Sequence, residues 1–477
     1  MPPASHESPS VLARPSRRSA ALAGLRREWK PMLSLAGPVV LAELGWMTMG
    51  IVDTIMVSGL GPEAIGAVGF GSTLFTALAV LGMGLLLGLD TLVSQAFGAR
   101  RVDECHRWLL HGVCLAFFLA LPLAFIIWWI ATTLHVAGLH PSVLALTVPY
   151  LIIENWGLLP LLLYAAFRRY LQGMSVVRPV MFALVSANLI NAGFNWILIY
   201  GRFGMPALGT DGSAWATSIA RLYMAACLLV AIVLHDRRFA GGLRDISLSI
   251  EGWRLRRLIE LGAPAATQVT LEVGVFAVAT GLAARLEPIS LAAHQIALNI
   301  ASFTFMVPLG VASAGAVRVG HAIGRRDPEG AARSGWTALM VAALFMSSAA
   351  LMFLLVPRLL LGVFSTDRRI LAIGVTLLSV AAIFQLFDGL QVVATGVLRG
   401  LGDTKTPMFW NLAGHWAFGL PLGYTLCFHF GWGVTGLWVG LSAGLTAVGI
   451  VLVTVWGRKV HRLMITKGGA TDAAPDD

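Results

Sequence analysis

The chain is poor in charge and carries none of the common signatures of enzymatic chemistry. Only 12% of its 477 residues are charged, about half the share of an average soluble domain. Its four cysteines are scattered, which argues against a metal centre or a disulfide framework. The sequence has no phosphate-binding GxxxxGK[ST] loop, no HExxH and no CxxC. We therefore expect no cofactor, no direct ATP drive and no enzymatic activity.

The main feature of the sequence is a series of long apolar runs, and 57% of the chain is hydrophobic. Runs of 18 residues or more recur along its length, and each predicts a transmembrane helix. We predict twelve, over residues 33–57, 65–89, 108–131, 142–166, 179–200, 212–234, 260–284, 291–317, 334–356, 370–397, 408–430 and 434–456. The predicted fold class is an all-α integral membrane protein, and its 52 glycines suit closely packed helices.

The net charge of +10 is unevenly distributed. Most Lys and Arg residues lie at the termini or in the loops after even-numbered helices, as Arg100, Arg168, Arg257 and Arg399 do. This positive-inside pattern predicts a multi-pass protein of the bacterial inner membrane with both termini in the cytoplasm. It argues against nucleic acid as a partner and leaves membrane lipids as the surroundings.

The two halves of the chain resemble each other at a constant spacing. The matching landmarks are Pro38 and Pro264 at 226 residues, Gly98 and Gly324 at 226, and Gly173 and Gly400 at 227. Each half holds six predicted helices, so both halves have the same orientation. Such parallel repeats are related by an axis along the membrane normal, with binding sites near mid-membrane.

These features predict five segments in a monomer. They are a disordered cytoplasmic tail over 1–30, an N-terminal six-helix lobe over 31–235, a cytoplasmic linker over 236–259, a C-terminal six-helix lobe over 260–457 and a cytoplasmic tail over 458–477. Within the linker, residues 250–258 fit either a short amphipathic helix at the membrane surface or a solvated connector.

Three acids stand in otherwise apolar helices: Asp53, Glu272 and Asp388. A charged acid at the bilayer centre costs about 2.5–3.5 kcal/mol. Acids that are kept there usually face the bundle interior or a water-filled cavity, where they handle ions, protons or cations. These three acids are therefore the candidate sites for a cation or a proton.

Glu272 and Asp388 are expected to form a two-carboxylate site in the C-terminal lobe. Phe384 and Gln391 lie one turn from Asp388 on the same face. Two neighbouring carboxylates repel, so one holds a proton unless a cation such as Na⁺ binds between them. This would make cargo, sodium and protons compete for Glu272 and Asp388.

Further polar residues that share a helix face are expected to support these sites or to line the substrate cavity. Asn191 and Asn195 are four residues apart and, with Thr217, fit a polar cluster near Asp53. Gln295 and Asn299 are also four apart; they fit either a cavity lining or a contact between helices.

Three more charged residues, Glu43, Glu154 and Arg221, fall inside predicted helices. The simplest interpretation is that Arg221 pairs with one of the two acids.

Several segments together resemble the multidrug and toxic compound extrusion (MATE) family, and most closely its NorM-like branch. They are GIVDTIMVSGLG, DTLVSQAFGAR, NLINAGFNWILIYG, TLEVGVFAVA, LAAHQIALN and FDGLQVVATGVLRGLGDTK. The resemblance covers about residues 30–460. It implies a V-shaped pair of six-helix bundles that exports organic cations and drugs in exchange for H⁺ or Na⁺. The family's acids in helices 1, 7 and 10 correspond to Asp53, Glu272 and Asp388, and its helix 5 asparagines to Asn191 and Asn195.

One position departs from the family pattern. NorM-like members carry a tyrosine four residues before the helix 10 acid, where this chain has Phe384. A phenyl ring offers a cation only its π face and no oxygen. The resemblance therefore favours protons slightly over sodium as the coupling ion.

Two other functions are compatible with the topology. A lipid-linked precursor flippase of the same broad superfamily would need a basic cavity for pyrophosphate, whereas the excess charge within these helices is acidic. A membrane receptor or scaffold without transport would need neither the isolated acids nor the two-lobe repeat.

Overall fold

The computed structural model describes residues 17–137, 140–236 and 249–471, and the side chains of 28–136, 140–236 and 249–465. The described residues are almost entirely helical and contain no strand. Residues 1–16, 237–248 and 472–477 lie outside the described residues, and with them parts of both predicted tails and of the predicted linker.

The described residues of the N-terminal half form eight α-helices. They are α1 (Arg17–Ser58), α2 (Pro62–Leu85), α3 (Gly88–Gly98), α4 (Val102–Thr133), α5 (Pro141–Trp156), α6 (Leu158–Gly173), α7 (Arg178–Tyr200) and α8 (Thr210–Asp236). The described C-terminal half contains α9 (Gly252–Ala283), α10 (Pro288–Gly324), α11 (Pro328–Leu355), α12 (Pro357–Gly362), α13 (Arg368–Gly400), α14 (Lys405–Asn411), α15 (Leu420–Tyr424) and α16 (Gly433–Thr471).

These helices supply the twelve predicted spans. Ten helical segments among the described residues are each long and apolar enough to cross a membrane, and α5 with α6 forms an eleventh span bent by 43°. The twelfth corresponds to 405–429, where α14 and α15 alternate with π-helical turns at Leu412–Gly419 and Thr425–His429. The protein is thus an all-α membrane protein of two six-helix lobes.

The sequence accounts for several helix boundaries. Proline occupies the start of α2, α5, α10, α11 and α12, where its missing N–H costs no helical hydrogen bond. The bend between α5 and α6 falls at Gly157. A Cβ at this position would lie 3.0 Å from the Arg221 guanidinium and the Ser218 hydroxyl. Glycine therefore lets the break in this span pack directly against α8.

The internal repeat is visible in the contacts between the lobes. At one crossing Gly84 of α2 meets Ala266 of α9, and a Cβ on the glycine would lie 2.6 Å from the Ala266 Cα. At the other crossing Gly310 of α10 meets Val40 of α1, at 2.9 Å from the Val40 Cα. Both pairs are related by the same offset of 226 residues, so the two lobes meet through equivalent, glycine-mediated crossings.

Some boundaries differ from the expectation. Helix α1 begins at Arg17, inside the segment that we expected to be a disordered tail. Helix α9 begins at Gly252 and runs without a break to Ala283, so residues 252–258 are the first two turns of a long helix and not a separate surface helix. Arg254 allows this extension because it is 3% exposed and forms ion pairs with Glu104 at 2.7 Å and Glu251 at 3.0 Å.

Two arginines that the charge pattern assigns to loops are buried within helices. Arg168 lies in α6 and Arg399 lies near the end of α13. Each has an acidic partner, Glu43 for Arg168 and Asp90 for Arg399. Their charge is therefore satisfied inside the protein and does not reflect a loop at the membrane surface.

Candidate functional site

Helices α1, α7 and α8 bring the predicted polar residues of the N-terminal lobe into one cluster. The Asp53 carboxylate accepts a hydrogen bond from the Asn195 amide at 2.6 Å and another from the Thr217 hydroxyl at 3.1 Å. Asn195 also donates to the Asn191 side-chain oxygen at 3.1 Å, and Asn191 donates to Thr217 at 3.4 Å. All four side chains are buried. The i,i+4 spacing of the two asparagines on α7 is what aims both amides at this position.

The acids of the C-terminal lobe lie on α9 and α13. Glu272 is partly exposed and accepts a hydrogen bond from Gln268, one turn earlier on α9, at 2.7 Å. Asp388 is buried on α13, close enough to Glu272 for the two carboxylates to interact electrostatically. One turn further along α13, Gln391 donates to Asn411 at 3.0 Å. Each acid therefore has an amide one turn away on its own helix, and a shared two-carboxylate site stays a prediction.

These three acids form no ion pair with any side chain that the structure describes. Within the described residues, no Lys, Arg or His nitrogen lies within 4.0 Å of the carboxylates of Asp53, Glu272 or Asp388. The other buried acids differ: the pairs are Glu43 with Arg168, Glu154 with Arg221, and Asp90 with Arg169 and Arg399. The protein therefore neutralises some buried acids with fixed arginines, whereas Asp53, Glu272 and Asp388 have no such partner among the described residues.

The ion pair next to the N-terminal cluster confirms the prediction for Arg221. Its guanidinium lies 2.8 Å from Glu154 and 4.2 Å from the centre of the Phe75 ring. Glu43, the other candidate, pairs with Arg168 instead. Arg221 is near enough to Asp53 for an electrostatic interaction, but its direct contact is with Glu154.

Phe384 lies in an aromatic contact beside the C-terminal acids. Its ring centre is 6.1 Å from that of Trp438. The Trp438 indole N–H donates to Nδ1 of His294 at 2.9 Å, and Nε2 of His294 lies 2.9 Å from the Thr280 hydroxyl. Because Nδ1 accepts, a neutral His294 carries its hydrogen on Nε2 and donates it to Thr280. This buried histidine connects three helices and offers no free nitrogen to a ligand.

Gln295 and Asn299 are both exposed on α10. Neither forms a hydrogen bond to any residue that the structure describes. A hydrogen-bonded contact between helices, one of the two expected roles, is therefore not found among the described residues. Side-chain amides avoid lipid, which favours a position in a wet cleft.

Three polar residues near the C-terminal acids were missed by sequence reasoning. Gln268 lies at i−4 from Glu272, a spacing that predicts the observed contact. Asn411 and Gln385 carried no such signal, because their partners are distant in sequence. Gln385 donates to the Thr304 hydroxyl of α10 at 2.5 Å.

Two repeated helical lobes with uncompensated acids inside the bundle define a membrane transporter. The sequence also matches the family profile described as MatE, over residues 38–197 and again over 264–425. Each match covers one lobe, and the two begin at Pro38 and Pro264, the first landmark pair of the repeat. The chain belongs to the MatE family, whose members are transporters and not enzymes.

Curated relatives and solved structures agree with this assignment. The chain is 37% identical to a probable multidrug resistance protein NorM of Mesorhizobium japonicum, over 91% of this chain and 94% of the relative. It is 36% identical to a protein of the same name from Burkholderia mallei, over 92% and 94%. Its fold matches the structure of a MATE protein in the bent conformation with a TM-score of 0.84 at 20% identity, covering 94% of this chain and 99% of the other. The eukaryotic MATE transporter AtDTX14 matches with a TM-score of 0.82 at 21% identity, over 92% and 99%.

Proposed function

We propose that this protein exports organic cations and lipophilic drugs in exchange for H⁺ or Na⁺, by alternating access. It would work in the bacterial inner membrane, with both termini in the cytoplasm. The names of the curated relatives, probable multidrug resistance proteins, support the class of cargo. The distribution of Lys and Arg supports the orientation.

One observation carries the proposal: within the described part of the chain, Asp53, Glu272 and Asp388 form no ion pair, while other buried acids of the same bundle do. Keeping an acid unpaired in a membrane protein is costly. The cost is offset when a cation or a proton visits the acid during the transport cycle. A purely structural acid gains more from a fixed arginine, as Glu43 does.

The cycle follows from competition for these acids. In the outward-open state, a proton or sodium ion binds at Glu272 and Asp388, or at Asp53. This neutralises the site and favours the inward-open state, where a cationic drug displaces the ion. Coupling arises because the two ligands stabilise different states through the same charges.

The remaining polar residues support this site. Asn195 and Thr217 hold Asp53 directly through hydrogen bonds, and Asn191 holds these two residues in place. Gln295 and Asn299 are proposed to line the cleft along which the cargo moves.

The buried charges weigh against a flippase for anionic lipid precursors. Such a protein needs cations free to meet pyrophosphate. The four buried arginines in the described part of the chain all have acidic partners: Arg168, Arg221, Arg254 and Arg399.

Efflux measurements in everted membrane vesicles test the proposal. Ethidium, a fluorescent organic cation, would be followed while a pH gradient and a sodium gradient are imposed separately. We expect accumulation driven by one of the two gradients, and its loss in Glu272→Gln and Asp388→Asn. Accumulation that needs neither gradient, or that is unchanged in both variants, would contradict the proposal.

A further inference from the structure

The glycine landmarks of the repeat meet at one end of the lobe interface. Gly98 ends α3 and packs on the backbone of His321 in α10, where a Cβ would overlap the His321 carbonyl oxygen. Gly324 ends α10 and packs in the same way on the carbonyl oxygen of Gln95 in α3. The ends of α3 and α10 therefore cross in direct backbone contact, which is possible only with glycine at both positions.

Two reciprocal hydrogen bonds tie the lobes together at this crossing. Gln95 donates from its side-chain amide to the carbonyl oxygen of Gly400 at 3.0 Å. His321 donates from Nε2 to the carbonyl oxygen of Gly173 at 2.7 Å. Gln95 and His321 each lie three residues before a landmark glycine. Their acceptors, Gly400 and Gly173, form another landmark pair of the repeat. The same tie is thus made twice, once in each direction.

One of the two repeat-related hydrogen bonds is accompanied by a cluster of charged residues, and the other is not. The Asp90 carboxylate of α3 lies 3.3 Å from Arg169 in its own lobe and 3.4 Å from Arg399 in the opposite lobe. Thr91 also crosses the interface and donates its hydroxyl to the Arg399 carbonyl oxygen at 2.5 Å. The same repeat offsets place uncharged residues, Ala316 and Gln172, at the positions equivalent to Asp90 and Arg399.

The charges of this cluster depend on contact between the lobes. Asp90 is 1% exposed and Arg399 is 7% exposed. In the described part of the chain, Arg399 has no acidic partner other than Asp90, whereas Asp90 also has Arg169. Separating the lobes would leave Arg399 unpaired until water reached it, which is unfavourable. The single contact at 3.4 Å is longer than the bonds of a bidentate Arg–carboxylate pair, so it holds the lobes together less strongly than such a pair would.

We propose that Asp90 and Arg399, supported by the reciprocal bonds of Gln95 and His321, form a latch that holds this end of the lobe interface closed, and that its release opens the protein toward this side. The direction of opening rests on the proposed function, which includes the orientation of the protein in the membrane. In that orientation the positive-inside pattern makes this end cytoplasmic. Asp90 and Arg399 are positioning residues: they set the balance between the two facing states without touching the cargo.

A cysteine at position 177 reports on the latch. Val177 belongs to the N-terminal lobe, is 6% exposed and packs into a buried cluster with Val319 and Leu398 of the opposite lobe. In a variant without the four native cysteines, Val177→Cys would be shielded while the lobes are closed. Its rate of reaction with a charged, membrane-impermeant maleimide in everted vesicles would then measure opening at the cytoplasmic side.

Asp90→Asn should raise this labelling rate about tenfold or more, because it leaves Arg169 and Arg399 facing each other without an acid. Arg399→Gln should also raise the labelling rate. In the double variant the increase should be smaller than the two single effects combined would give, because both changes remove the same contact. Asp403→Asn is the matched control. It makes the same change at the same end of the bundle, but the ion pair with Lys459 at 2.6 Å lies within one lobe. Its labelling rate should equal that of the parent.

Several outcomes would overturn the latch. These are an unchanged rate in both Asp90→Asn and Arg399→Gln, equal increases in Asp90→Asn and Asp403→Asn, and faster labelling from the outer face of intact cells. Monodisperse elution of each variant controls for misfolding, and Gln95→Leu with His321→Leu is the second test if Asp90→Asn does not fold. Labelling uses neither drug nor ion gradient. A failure of ethidium efflux with a normal labelling result would therefore refute the proposed function and leave the latch intact.

Discussion

Removing Glu272 and removing Glu43 should have opposite consequences for transport and for stability. Both residues are acids within the bundle, and Glu→Gln keeps the size of each side chain. Glu43 is 8% exposed and is paired with Arg168, which is 6% exposed. Glu272 has only the Gln268 amide as a fixed hydrogen-bond partner among the described residues. The two variants therefore separate a structural acid from a proposed functional one.

The expected magnitudes follow from these partners. Glu43→Gln leaves the Arg168 guanidinium buried without its acid, which costs about 3–5 kcal/mol. That cost lowers the ratio of folded to unfolded protein by more than about a hundredfold. Glu272→Gln loses one hydrogen bond to a charged group but also removes an unpaired charge, so we expect its free energy of unfolding to change by no more than about 1 kcal/mol.

Two assays on the same samples decide the matter. Thermal unfolding of the purified proteins in detergent, followed by tryptophan fluorescence, should show a clear loss of stability only for Glu43→Gln. Ethidium transport per folded molecule in proteoliposomes should be lost only for Glu272→Gln. The reasoning would be refuted if Glu272→Gln were as unstable as Glu43→Gln, or if folded Glu43→Gln had lost transport while Glu272→Gln had kept it.

Three further predictions concern single positions. Phe384→Tyr adds an oxygen near Asp388 and should increase sodium-driven ethidium efflux relative to proton-driven efflux; an unchanged ratio would mean that this position does not influence ion choice. His294→Ala removes two buried hydrogen bonds and should destabilise the protein by about 2–3 kcal/mol in thermal unfolding, without altering which gradient drives efflux. Burial alone would raise the pKa of Asp403, in the loop after α13, but hydrogen bonds from Lys459 and Thr406 lower it below the usual value. Its contribution to stability is therefore complete above about pH 4 and is lost as the pH falls through the lowered pKa, so Asp403→Asn should show a smaller loss of stability on acidification.

Local sequence patterns predicted much of this protein, because the membrane imposes simple rules on length and polarity. A run of apolar residues long enough to span the bilayer is visible without any knowledge of neighbours. The cluster around Asp53 could be anticipated since Asn191 and Asn195 share a helix face. The constant offset between Gly98 and Gly324 revealed the repeat, and the structure brings both glycines to the lobe interface.

Long-range pairing was not visible in the same way. Glu43 and Arg168 are 125 residues apart, and no periodic pattern connects them. Arg168 and Arg399 were assigned to loops because an arginine near the end of an apolar run usually marks the membrane surface. The start of α9 at Gly252 was not predicted for a similar reason. From the sequence alone, Arg254 is interpreted as a solvated charge, because its partner Glu104 is distant in sequence.

The most direct test of the central claim is the number of ions displaced when an organic cation binds to the purified protein. Calorimetric titration with ethidium, in two buffers of different ionisation enthalpy, measures protons released, and displacement of bound ²²Na⁺ measures sodium. We predict release of one of these ions from the wild-type protein, and its loss in the double variant Glu272→Gln, Asp388→Asn. Tight ethidium binding with neither proton nor sodium displaced would contradict the account.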